Sequence, residues 1–297
     1  MTAAELLSSA LRDDDRVLVL GAGGWFGATL LDLLPDLPPE RVKAIASFAR
    51  DQFVGTRNWR LEAWSGDTVR GFSPTVVANL AFLARERVAT EGEEQFTSVN
   101  RELTQRFLDC LDLPDVRAAV TVSSGAAITE PNHPYGRLKG VEERAALARV
   151  RPGLGVVVGR AWSLSGVHVR RPQDFAFSNF ALQARTGSVE VQDPRHVFRR
   201  YVDVGDFLSV CLHSALDGWS GIIDSGGELV ELSDLAAMVA KAIEPQAVVR
   251  LPPIASDEVS AYASDDASWT RACSALEFKP LSLDQQIARV VRTLPTV

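Results

Sequence analysis

The sequence predicts an α/β protein, a doubly wound parallel sheet with a smaller, partly interleaved C-terminal domain. Three observations carry this. Short apolar runs alternate with amphipathic stretches across the first 160 residues, the pattern of parallel strands covered by helices on both faces. The first run ends in a cluster of glycines that opens a helix. Beyond residue 160 the alternation loosens, as where a second unit is threaded into the first.

The elements follow in order. The acidic start, MTAAELLSSALRDDD, lacks the basic end and apolar centre of a secretory signal and reads as a short surface helix. Residues 16–20 (RVLVL) form a buried parallel strand by length and flanks, and 25–34 a helix stopped by Pro35. Residues 42–48 are a second strand, 60–64 a weaker third and 76–80 a fourth, with too little chain between the last two for a full helix. A long amphipathic helix covers 93–111; strand 118–122, helix 135–150 and strand 155–160 follow. In the second half, 174–186 and 204–216 read as helices, 189–191 as a short strand and 221–224 as a strand returning to the sheet. Amphipathic helices at 232–242 and 281–294 flank a Pro/Ser/Asp-rich stretch. Residues 1–160, rejoined by 199–225, make the first domain, and 161–198 with 226–297 make a lid. Ligands of such folds sit at the carboxyl ends of the strands, beside the lid.

Net charge is −7, which speaks against nucleic acid as the main partner. No apolar run is long enough for a membrane span. Cys110, Cys211 and Cys273 form no CxxC and no even framework, so they read as reduced buried thiols of a cytoplasmic protein. The four histidines show no ligand spacing, and no metal site is expected.

Gly21, Gly24 and Gly27 stand in a GxxGxxG spacing between the first strand and the first helix. Gly21 permits a tight turn, Gly24 lets the backbone approach a pyrophosphate, and Gly27 lets the helix pack close to its strand. The helix start at Trp25 and Phe26 then turns N–H groups toward the phosphates. This pattern predicts dinucleotide binding; the alternative is a glycine-rich turn without a ligand. NAD sites place Asp or Glu at the end of the second strand, on the ribose 2′-OH. Here the chain reads Ser47-Phe48-Ala49-Arg50. Arg50 suits a 2′-phosphate, so NADP is preferred over NAD. The alternative leaves Arg50 solvated and gives the ribose to Asp51.

Ser123 and Ser124 end the fifth strand, and Tyr135 and Lys139 follow in a YxxxK spacing. Residues i and i+4 share a helix face, so phenol and ammonium point together toward the cofactor. A neighbouring ammonium favours the phenolate, which suits Tyr135 to proton exchange with a substrate oxygen. Ser124 would bind the same oxygen and Lys139 also the nicotinamide ribose. Ser123 is the rival for Ser124, pointing to the opposite face. The bland alternative is a surface Tyr and a solvated Lys.

Together these residues resemble the extended short-chain dehydrogenases/reductases, specifically the NAD-dependent epimerase/dehydratase family acting on nucleotide sugars. The resemblance spans Val17 to Ile243 and implies a Rossmann domain with a small substrate domain. Asn79-Leu80-Ala81 is similar to a segment beside the cofactor ribose. Val99-Asn100 with Leu103-Thr104 resembles a helix of the cofactor half in which the Asn is structural. The segments 160–166, 199–206 and 232–236 resemble further family motifs. By the same resemblance Arg199 contacts a substrate diphosphate, Asn179 the nucleotide, and the helices holding Asn100 and Tyr135 pair two copies into a homodimer. Ala161, Ser163, Arg200 and Asp203 depart from the family motifs.

The dehydratases of that family carry an Asp-Glu pair beside the catalytic hydroxyl, where this chain has Gly125-Ala126. Dehydration is therefore disfavoured. The main reading is a 4-ketosugar reductase using exchangeable NADPH and one proton from Tyr135. The alternative is a nucleotide-sugar 4-epimerase that keeps NAD bound. Rivals are a dinucleotide sensor without turnover and a reductase of small non-nucleotide ketones.

Overall fold

The computed structural model describes residues 1–34, 37–254 and 258–293. Pro35, proposed as the stop of the first helix, and Leu294 at the end of the last one lie outside the described residues. Eight strands form one sheet in the order Gly221–Asp224, Gly155–Ala161, Ala118–Ser124, Val76–Asn79, Val17–Leu20, Val42–Ala46, Arg57–Ala63 and Arg50–Val54. All neighbours are parallel except the last pair. The strand order reverses around Val17–Leu20, so the loops leaving this strand and Val76–Asn79 diverge and open a crevice.

The first strand shows why the sheet is covered twice. Val17 and Val19 enter the apolar layer formed with helices Ala3–Ala10 and Val204–Leu216, while Leu18 and Leu20 enter the layer holding Phe107 and Leu111 of helix Glu93–Leu111. Alternate side chains point to opposite faces, and all four are buried. The N-terminal helix is therefore a docked element rather than a surface one. Leu6 and Leu7 are fully buried, and Thr2 and Glu5 form a capping box.

A smaller sheet is centred on His196–Asp203, flanked by Glu228–Glu231 antiparallel and Val259–Tyr262 parallel, with Ser163–Ser165 beside its far end. Phe177, Phe180, Leu235, Val239 and Ile287 form the lid's own core. The return to the large sheet begins at Val204 rather than at residue 199, because 196–203 belong to the small sheet.

Other local expectations shift too. Helix Gly66–Phe72 fits between the third and fourth expected strands, capped by Ser65 on the Thr68 N–H. The segment holding Arg50 is an antiparallel edge strand, not a loop. The Pro/Ser/Asp-rich stretch contains the strand Val259–Tyr262 and the helix Ala267–Ala275, whose Trp269 is buried. The three cysteines are free and buried. Among the described residues no helix is long and apolar enough to cross a membrane, and no cluster of three metal-ligating side chains exists.

Candidate active site

The glycine turn has the shape a pyrophosphate needs. Gly21 has φ +81°, and a Cβ there would stand 2.6 Å from the Leu80 and Ala81 backbone. A Cβ on Gly27 would run into the Gly21–Ala22 backbone. Gly24 is the N-cap of helix Trp25–Asp32, and no side chain caps it, so the helix's first N–H groups are open to an anion. Gly24, Trp25 and Phe26 line a cleft of 590 Å³. Gly21, Gly24, Leu80 and Ala81 line an adjoining pocket of 480 Å³. These residues fit a dinucleotide.

Ser124, Tyr135 and Lys139 line the first cleft together. Helix Pro134–Leu147 starts at a proline, capped by His133 on the Tyr135 N–H at 3.2 Å. Gly136 lies where a Cβ would meet the Ala126 and Glu130 carbonyls, so the helix presses against the short helix Ala126–Thr129 that follows the Ser124 strand. Ser123 points away and donates to Glu143 at 2.5 Å. Burial pushes the Tyr135 phenol up to about 12, opposed by a hydrogen bond with Ser124 and assisted by the charges of Glu142 and Glu86. Burial pulls Lys139 down, and Glu142 opposes it.

Two residues of this core were not singled out from sequence. Glu142 lies 3.3 Å from the Lys139 ammonium; its signal was the i+3 spacing from Lys139. The ring of Phe82 covers the same ammonium, 3.6 Å from its centroid, and packs edge-on against Tyr135. Phe82 lines both pockets and so stands between them.

Asn79 does not face the crevice. It is buried, donating 3.0 Å to Thr121 and 2.9 Å to Glu142. The pleat of the strand turns its side chain into the helix layer. Asn100 lines neither pocket; its Oδ1 accepts from the Leu83 N–H at 2.8 Å and pins the loop that carries Phe82.

On the lid side, Arg199 lines the cleft and, among the described residues, donates only to the carbonyls of Phe198 and Ser260. Arg195 is paired with Asp193, and Arg200 donates to the Gly227 carbonyl. Asn179 does not line the cleft; the first turn of its helix, Ala176 and Phe177, does. Tyr262, missed in the sequence, brings its hydroxyl to 3.3 Å from Ser124. Trp162 packs on Gly125 so closely that a Cβ there would stand 2.6 Å from the indole. A carboxylate side chain has no room at that position.

Arg50 lines the second pocket with Arg170, a lid residue that sequence reasoning also missed. Both guanidinium groups donate to the side-chain Oε1 of Gln52, at 3.2 and 2.8 Å. Burial, then the Arg50 charge, pulls Arg170 below the ordinary guanidinium value. Asp51 does not line this pocket and pairs with Arg60 at 3.3 Å.

Residues 17–221 match the model of the NAD dependent epimerase/dehydratase family. No curated protein matches the chain. Among solved structures, UDP-N-acetylglucosamine 4-epimerase from Methanobrevibacter ruminantium M1, in complex with UDP-N-acetylmuramic acid, is similar with TM-score 0.76 and 16% identity over 95% of this chain and 97% of that one. UDP-glucose 4-epimerase from Brucella ovis in complex with NAD has TM-score 0.73 and 19% identity over 94% and 98%. The UDP-glucose 4-epimerase complex with NAD from Thermus thermophilus has TM-score 0.72 and 20% identity over 94% and 98%. At these identities the likeness establishes the fold.

Proposed function

Since the chain belongs to the NAD dependent epimerase/dehydratase family, we propose that it is a nucleotide-sugar 4-epimerase, inverting a hexose carbinol through a transient ketone. The observation that carries this reading is the meeting of Ser124, Tyr135 and Lys139 in one cleft that also holds Arg199 and opens onto the glycine turn. The 4-epimerases among the similar structures, bound to NAD or a UDP-sugar, support the same direction. The lack of room for a carboxylate at Gly125 speaks against dehydration.

When bound, the dinucleotide supplies the hydride acceptor and donor. The chain's own residues do the rest. Ser124 orients the reacting sugar oxygen, and Tyr135 takes its proton and returns it. Lys139, one helical turn from Tyr135 and lining the same cleft, provides a positive charge and a donor for the ribose. Arg199, without a carboxylate partner among the described residues, suits a diphosphate. The free buried cysteines support a reducing, cytoplasmic compartment. The exposed Val141 on helix Pro134–Leu147 supports a homodimer through this helix and Glu93–Leu111.

A second reading, reduction of a nucleotide-linked 4-ketosugar by exchangeable NADPH, has its own support. Arg50 and Arg170 stand together in the adenosine-side pocket, and Asp51 is turned to Arg60. The test is incubation of the purified protein with UDP-glucose and UDP-galactose, and separately with a UDP-4-ketohexose and NADPH. Accumulation of the epimer without net cofactor consumption is expected. Stoichiometric NADPH oxidation without epimer formation establishes the reductase instead. No turnover in either arm overturns both.

A further inference from the structure

We infer that Glu142 is a positioning residue for the Tyr135–Lys139 pair, holding the Lys139 ammonium charged and aimed from the closed side of the catalytic helix. The inference rests on the proposed function only in giving that pair its work.

The Lys139 ammonium is almost wholly enclosed, with 4% of its side chain exposed. It donates to the Val122 carbonyl at 2.7 Å and to Glu142 at 3.3 Å, and its remaining side faces the Phe82 ring. An ammonium this dry gives up its proton unless a counter-charge is held near it. Glu143 adds its charge from farther away but is not the group that holds the ammonium. It is bound by Arg160 at 2.8 and 2.6 Å and by Ser123 at 2.5 Å. Among the described residues Glu142 meets no other cation: its second oxygen accepts from the Thr121 hydroxyl and from Asn79 at 2.9 Å. Asn79 and Thr121 are register neighbours on adjacent strands, so two strands of the rigid sheet fix the carboxylate. The carboxylate in turn fixes the lysine three residues earlier on the helix.

The other charged or titratable groups facing the pair are accounted for. Tyr135 and Tyr262 meet at Ser124. Glu86 stands at the rim opposite Arg171, and Arg85 is paired with Glu130. None of them touches the lysine. A purely structural Glu142 would stabilise the helix and leave the protonation of Lys139 unchanged; a positioning Glu142 sets it.

The chain has four lysines, Lys43, Lys139, Lys241 and Lys279, so Lys139 can be followed by NMR of lysine-labelled full-length protein. In the parent, Lys139 is expected to stay protonated at pH 8. In Glu142→Gln, whose amide turns donors toward the ammonium, its titration midpoint is expected to fall by at least one pH unit. Turnover, compared with the parent, is expected to drop about tenfold at pH 7 and more than a hundredfold at pH 9. Thr121→Val, which loosens the carboxylate, shifts the midpoint in the same direction by less and serves if Glu142→Gln fails to fold. A parent lysine already neutral at pH 8, or a midpoint that neither variant moves, overturns the inference. Failure of the nucleotide-sugar assays does not affect the NMR arm, so the two readings fail separately.

Discussion

The hydroxyl of Tyr262 lies 3.3 Å from that of Ser124, across 138 residues of sequence and between two sheets. The Trp162 ring packs 4.9 Å from the Tyr262 ring, and the Arg199 guanidinium lies 5.7 Å from it. The lid thus reaches the Ser124 hydroxyl directly. Tyr262→Phe keeps the ring and removes one hydrogen bond worth about 1 kcal/mol. It should lower kcat/KM about fivefold, with dinucleotide affinity unchanged. Steady-state kinetics with the UDP-hexose checks this; wild-type kcat/KM would show that the contact is idle.

Tyr135→Phe should cost about 10²- to 10⁴-fold in kcat, the range of a lost general acid or base. Dinucleotide binding, read by fluorescence titration, should survive. Activity near the parent level would remove Tyr135 from the mechanism.

Phe82 lies over the face of the Lys139 ammonium proposed to meet the ribose. Loading a dinucleotide across the two pockets therefore means moving the ring off a cation–π contact worth about 1–2 kcal/mol. Phe82→Ala should speed association and tighten binding several-fold in stopped-flow titrations. Weaker binding would mean that the ring is a platform for the cofactor and not an obstacle to it.

Arg50 and Arg170 share one acceptor, Gln52, and pair with no carboxylate among the described residues. Two guanidinium groups held together in this way suit an anion such as a 2′-phosphate. On the reductase reading, calorimetry should find NADPH bound at least about tenfold more tightly than NADH. Arg170→Ala should remove most of that preference, since a charge-assisted hydrogen bond contributes about 1.5–3 kcal/mol. Equal affinities in the parent would count against this arrangement.

Asp206 is buried at the seam of the two units, where its Oδ2 accepts from the Leu281 N–H at 2.7 Å. Burial, then the charge of Asp203, raises it from 3.8 to about 7. A carboxyl whose folded pKa is raised holds its proton better in the native state. Its contribution is full below about pH 4 and is lost as pH rises through 7. Stability should therefore decline across this window, by at most about 4 kcal/mol from this group. Asp206→Asn should flatten the decline and raise the melting temperature at pH 8. An unchanged slope in denaturant melts against pH would exclude Asp206 as its source.

Most of the layered architecture was written in local periodicity. The first strand, the glycine turn, helix Glu93–Leu111 and helix Val204–Leu216 are read from runs of side chains that need no distant partner. The grouping of Ser124, Tyr135 and Lys139 was legible for the same reason. One strand end and one helix turn carry all three.

What lay beyond reach depended on pairing. Arg50 begins a strand only because 57–63 lies alongside, and its opening Arg50-Asp51-Gln52 carries no apolar signal. Asn79 faces the helix layer and not the crevice because the pleat turns every second side chain away. Glu142 was visible as a helical neighbour of Lys139, but its meaning came from Thr121 and Asn79 across two strands. Tyr262, Trp162 and Arg170 enter the site from loops and strands of the lid. The order of residues along the chain was enough to dictate the parallel sheet, the glycine turn and the helix carrying Tyr135 and Lys139, because these follow from short-range spacing. Which lid side chains reach Ser124 and Arg50 was settled in three dimensions, because that depends on how two sheets, joined by chain crossing three times between them, pack against each other.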